Sequence, residues 1–188
     1  STRFDLILCS YNLSKGKDGF YLYEELNARK LINMSTGFIF ISSETDPELV
    51  HAVLELQPDD FLVKPFTLKS LNSRLNRVIT HKQTLKGIYR FLEKGDYDEA
   101  MNLVATELSD PDKSKYFPLL LKVKGEILNY QQEFETSREF FKSILNVQSF
   151  TWAKMGLVKA HIGLKEFDEA EKLLVRLAFQ PDTKVIAL

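Results

Sequence analysis

From Phe4 to Cys9 the chain reads Phe-Asp-Leu-Ile-Leu-Cys, and from Gly37 to Ile41 it reads Gly-Phe-Ile-Phe-Ile, two nearly continuous apolar runs of strand length. Runs of this kind suit strands covered on both faces, as in a parallel sheet. A third run, Asp60-Phe-Leu-Val-Lys64, stops at Pro65, which has no N–H to give to a sheet ladder. Between these runs the period becomes helical, with Leu22, Tyr23 and Leu26 before the second run and Leu49, Val50, Val53 and Leu54 before the third. Strand alternating with helix predicts right-handed parallel crossovers, and Leu68, Leu71, Leu75, Val78 and Ile79 predict one more amphipathic helix after Pro65. Residues 1–80 are therefore expected to form a partial α/β domain.

From residue 81 to 188 the strand-like runs cease. Helical patterning continues with breaks near Gly95, over Ser109 to Asp112, near Gln131, near Gln148 and at Gly163, which predicts six helices in three pairs. The pairs resemble one another. Gly95-Asp-Tyr97-Asp-Glu-Ala100, Gln132-Glu-Phe134-Glu-Thr-Ser137 and Lys165-Glu-Phe167-Asp-Glu-Ala170 each place an aromatic three residues before a small residue, at spacings of 37 and 33. Small residues let antiparallel helices approach while the aromatic fills the space beside them, and Gly125 and Gly156 would do the same on the first helices of the second and third pairs. With Trp152 four residues before Gly156, residues 82–182 resemble the tetratricopeptide repeat, an all-α solenoid of helix pairs. The pattern departs from that family at Ser137, where alanine is usual, and in the absence of an aromatic equivalent to Trp152 from the first two pairs. In such repeats most of Tyr116, Phe117, Phe134, Phe140, Phe141 and Phe150 belong to the core, and those off the periodic face are candidates for partner contact.

The 188 residues hold 44% apolar side chains, enough for packed cores, and the net charge of −1 is spread evenly, so no basic face points to nucleic acid. No apolar stretch approaches the roughly 20 residues of a membrane span. The single Cys9 lies in an apolar run and reads as a buried small hydrophobe. These features set the expectation of a cytoplasmic protein that binds neither nucleic acid nor membrane.

Ligands of open parallel sheets sit beyond the carboxyl ends of the strands, which directs attention to Ser10, to Ser42 with Ser43, and to Lys64 with Pro65. Two hydroxyls and an ammonium there suit a phosphate or another small anion. Leu8-Cys-Ser-Tyr-Asn-Leu13 followed by Lys17-Asp18-Gly19, then Phe40-Ile-Ser-Ser43, then Asp59-Asp-Phe-Leu-Val-Lys-Pro-Phe66, resembles the second half of a response-regulator receiver domain, a flavodoxin-like fold. The resemblance implies that Lys64 pairs with a phosphoryl group and that Pro65 follows a cis bond. It further implies that Ser42 follows the phosphoryl group on activation and that Phe61 is the aromatic that rotates with it. Ser10 stands where the family has its phospho-accepting aspartate, and a serine without an adjacent base is a poor nucleophile. The paired acids that hold magnesium in a complete receiver would precede Ser1, so neither cofactor nor metal is expected from this sequence.

Without the family's first strand the run from Phe4 to Cys9 is expected to be an open hydrophobic edge, paired in a longer parent or in a homodimer. Pro181-Asp182-Thr183 reads as the start of another helix. The remaining candidates have plainer readings. His51, His81 and His161 fall on separate helices without ligand spacing, Asp59-Asp60 reads as a turn, and Lys15-Gly16-Lys17 as a loop. Ser10, Ser42 and Lys64 as a Ser/Lys hydrolase would need an oxyanion hole and a desolvated lysine, which nothing in the sequence indicates. The expectation is a non-enzymatic adaptor of two-component signalling that binds a sensor kinase or another response regulator, with an anion-responsive switch acting on the repeats as the alternative.

Overall fold

The computed structural model of the chain describes residues 4–13, 17–43 and 58–178. These residues divide into two units, one ending at Lys86 and the other starting at Gly87.

In the first unit, β1 (Leu6–Ser10), β4 (Gly37–Ser42) and β5 (Asp60–Val63) form one parallel sheet in the order β1-β4-β5. β2 (Asn12–Leu13) and β3 (Lys17–Asp18) make a short antiparallel ribbon that the apolar pattern did not announce. The register sets Ser10 opposite Ile41 and Ser42 opposite Val63, so all three strands end at one edge. Alternation sorts the side chains as a sheet must. Cys9, Phe38, Phe40 and Phe61 face one way, where Tyr23 and Leu26 of α1 (Gly19–Ala28) cover them. Ile39 and Leu62 face the other way, against Leu71, Leu75 and Val78 of α2 (Leu68–Leu92). Both faces are thus covered, which is why the strands read as unbroken apolar runs. Among the described residues β1 is an edge strand, with Phe4 and Leu8 exposed. The helical pattern at Leu49 to Leu54, the Ser14 to Gly16 stretch and the segment from Pro181 lie outside the described residues.

The helix after Pro65 runs without a break to Leu92, so the first of the six expected helices is the last part of α2. Nothing in 80–83, Thr-His-Lys-Gln, is a strong helix breaker, and Leu85 and Ile88 continue its buried stripe.

The second unit continues with α3 (Tyr97–Leu108), a 3₁₀ turn (Pro111–Tyr116), α4 (Phe117–Tyr130), α5 (Phe134–Val147), α6 (Thr151–Gly163) and α7 (Phe167–Ala178). α4 packs on α3, α5 and α6, and α5 and α7 both pack on α6. The fully buried Phe141 ring of α5 is wedged against two glycines: a Cβ on Gly125 would lie 2.3 Å, and one on Gly156 2.1 Å, from its Cζ. Ser137, also fully buried, satisfies its hydroxyl by donating to Asn129 Oδ1 at 2.7 Å, while Asn129 Nδ2 donates to the Gly156 carbonyl at 3.3 Å. The serine in place of alanine is thus kept by a hydrogen bond that joins α5 to α4.

Three helix–helix turns close in the same way, as does the end of α1, where Lys30 has φ of 53° and the Leu31 N–H donates to the Leu26 carbonyl at 2.9 Å. Gly95, Gln132 and Lys165 have φ of 79°, 61° and 62°, and the next N–H in each case (Asp96, Glu133, Glu166) donates back to the carbonyl five residues earlier (Phe91, Leu128, His161). This is the Schellman closure, whose left-handed residue is easiest for glycine. His161, buried on α6, places Nδ1 2.5 Å from Glu166 Oε2 in the third of these turns, and Arg138 of α5 holds the other carboxylate oxygen at 2.7 Å.

Two predictions follow the backbone. Lys165→Gly removes left-handed strain at an exposed site and is expected to stabilise the chain by about 0.5–1 kcal/mol, whereas Gly95→Ala should cost a similar amount, both read from urea unfolding midpoints. Gly156→Ala drives a methyl into the Phe141 ring and is expected to cost about 2 kcal/mol or more, with loss of near-ultraviolet signal from the Trp152 environment. An unchanged midpoint for Gly156→Ala would contradict the wedge.

Candidate functional site

The carboxyl edge of the sheet gathers the residues that the sequence singled out. Ser10 closes β1, Ser42 closes β4, and Lys64 follows β5. Main-chain bonds fix their spacing: Tyr11 N–H donates to the Ile41 carbonyl at 2.8 Å, and Lys64 N–H donates to the Ser42 carbonyl at 2.7 Å. The Lys64–Pro65 peptide is cis. The chain then turns into α2, whose first turn is capped by Thr67, its hydroxyl accepting the Ser70 N–H at 3.1 Å.

Gly19 closes the floor of this edge. Its N–H donates to the Tyr11 carbonyl at 2.6 Å, and a Cβ here would lie 2.4 Å from the Ser10 carbonyl and 3.0 Å from Cys9 Sγ. Only glycine permits so close an approach of α1 to the end of β1. Cys9 beneath it is buried, and burial pushes its thiol pKa up, which disfavours the thiolate.

The side chains differ in what they offer. Ser10 is exposed, and its hydroxyl donates to the Asn12 carbonyl at 3.0 Å. Among the described residues that proton meets a main-chain carbonyl and not a general base. Ser42 is buried, Lys64 is exposed, and Phe61 is buried in the cluster with Cys9, Phe38 and Phe40. The sheet therefore brings Ser10, Ser42 and Lys64 to one edge and keeps Phe61 below it. Among the described residues no group of three or more His, Cys, Asp or Glu could hold a metal ion.

Residues 1–76 match the model of the response regulator receiver domain. The match covers 76 of the 188 residues, the parallel sheet and the start of α2, so this N-terminal part is similar to a receiver domain. No curated protein matches the chain. No helix among the described residues is long and apolar enough to cross a membrane.

At the opposite end of the receiver sheet the reading of Asp59-Asp60 as a turn is corrected. Asp60 is the first residue of β5, buried, and its carboxylate holds Arg74 at 2.6 Å and Arg77 at 2.8 Å, both on α2. Asp59 accepts the Phe38 N–H at 2.8 Å and pairs with Lys82 at 2.9 Å. The two acids pin α2 along the amino edge of the sheet. A signal was present in the sequence, since Arg74, Arg77 and Lys82 recur on one side of a helix next to an acid pair, but an acid pair between apolar runs reads first as a turn.

Asp60→Ala leaves Arg74 and Arg77 facing an apolar sheet end without their carboxylate, and is expected to cost about 3 kcal/mol. Chemical denaturation of the full chain checks this. A loss under about 1 kcal/mol would mark the pair as a solvated surface contact.

Proposed function

We propose that this chain is a non-enzymatic adaptor in two-component signalling, in which a receiver that cannot be phosphorylated at Ser10 recognises a sensor kinase or another response regulator while the helical unit, read as tetratricopeptide repeats, binds a further protein segment. The observation that carries this reading is Ser10 itself. It stands at the carboxyl end of β1, where a receiver needs a carboxylate, and its hydroxyl is committed to the Asn12 carbonyl. A hydroxyl so engaged does not attack a phosphohistidine, whereas the outer surface that a kinase would recognise is unaffected by the exchange. The repeat reading rests on the spacing of the turns at Gly95, Gln132 and Lys165, 37 and 33 residues apart, and on the Phe141 wedge between glycines.

A second reading is supported by the placement of Ser42 and Phe61. Alternation along the paired β4 and β5 puts Ser42 on the Phe40 face, the face that holds Phe61. An anion bound between Ser42 and Lys64 could then move the aromatic and alter the helical unit. Titration with a phosphate analogue and magnesium, followed by NMR of the Phe61 ring, separates the readings: a shifted ring resonance supports the switch, and an unchanged one removes it.

The adaptor reading is tested by phosphotransfer. Sensor kinases from bacteria are autophosphorylated with labelled ATP and mixed with a cognate regulator, with and without excess of this chain. The expected result is slower transfer for at least one kinase, with no acid-labile label on the chain. Label on the chain, or transfer unchanged for every kinase tried, would refute it.

A further inference from the structure

We infer that the groove between α3 and α4 is a docking site for a basic, apolar peptide segment of a partner protein, one that sets a Leu- or Met-sized side chain into the groove and a Lys or Arg on its rim. This deepens the adaptor reading and rests on it, since it names the chemistry of the segment that the helical unit takes.

The groove encloses about 470 Å³ and is lined by both helices and the start of α5. Three of its eight lining residues are apolar, Met101 and Ala105 of α3 and Leu128 of α4, and Asn102 and Gln131 add neutral polar groups beside them. Its rim is acidic, with Asp98 from the first turn of α3 and Glu133 from the turn before α5, both exposed. Asp98 is held in place by Gln131, whose Nε2 donates to one carboxylate oxygen at 2.8 Å, so the other oxygen remains available to an incoming donor. The one cation in the lining is Lys124, and its ammonium lies over the Phe140 ring, 5.6 Å from the centroid. α3 itself carries Asp98, Glu99 and Glu107 and no basic residue, and among the described residues Glu107 alone of the three forms an ion pair, with Lys113.

The electrostatic balance of the groove is therefore negative although the chain as a whole is nearly neutral. Three apolar side chains favour burial of an aliphatic side chain, and two rim carboxylates favour a cation beside it. An acidic peptide, or the phosphate backbone of a nucleic acid, meets like charge. The Schellman turn at Gln132 keeps Glu133 at the rim, because the Glu133 N–H is fixed to the Leu128 carbonyl at 3.0 Å.

Fluorescence anisotropy with the full chain tests this, using a fluorescein-labelled peptide pool of alternating Lys and Leu and a matched pool of Glu and Leu. The Lys/Leu pool should bind, the Glu/Leu pool should not, and raising salt from 50 to 500 mM should weaken binding severalfold. Asp98→Asn with Glu133→Gln should weaken it about five- to tenfold. Ala105→Trp, which fills the groove at an exposed position, should abolish it with the urea midpoint retained. Equal binding of both pools, insensitivity to the double substitution, or no binding at all would overturn the proposal. Continued inhibition of phosphotransfer under any of those outcomes would leave the adaptor reading standing without this groove.

Discussion

The pairing of β1 and β5 with the central β4 is the constraint on which the first unit depends. Parallel strands must end at a common edge, and the register through Ser10–Ile41 and Ser42–Val63 allots each strand one polar terminus there. The same pairing sorts large aromatics to the α1 side and aliphatics to the α2 side, so each helix has its own buried surface. At the other edge the carboxylates of Asp59 and Asp60 take up the cations of α2. At one end of the sheet Ser10 and Lys64 are exposed while Ser42 is buried, and at the other the polar groups are consumed in fixing a helix.

Ser10 is tied into its surroundings on both sides, for its hydroxyl donates to the Asn12 carbonyl and its own carbonyl is overlaid by Gly19. Surfaces that a receiver offers to other proteins are formed by helices and loops around the sheet, and these do not depend on the charge at its tip.

Much of this was legible in the chain because apolar runs and turn residues report local geometry directly. The three strands, α1, the edge residues and all the breaks of the second unit fall where periodicity places them. That α2 continues to Leu92 has no local mark, because an unbroken helical period gives no sign of where one unit ends and the next begins. Asp60 was missed for a related reason: its partners are 14 and 17 residues away, and a buried ion pair leaves no local pattern. The groove between α3 and α4 depends on which side chains face each other across two helices, information that spacing along one helix does not contain.

The helix closures at Gly95, Gln132 and Lys165 share one backbone geometry, yet they are separated by 37 and 33 residues. The difference lies mainly in what joins one pair to the next. Between α3 and α4 the chain inserts the 3₁₀ turn Pro111–Tyr116, while between α5 and α6 it passes directly through 148–150. Helix–turn–helix hairpins are therefore the invariant parts of this unit, and the joints between them are its elastic ones. A residue added or removed at such a joint changes the spacing along the sequence without touching the hairpins, so a ruler of fixed period laid along the chain loses its place there.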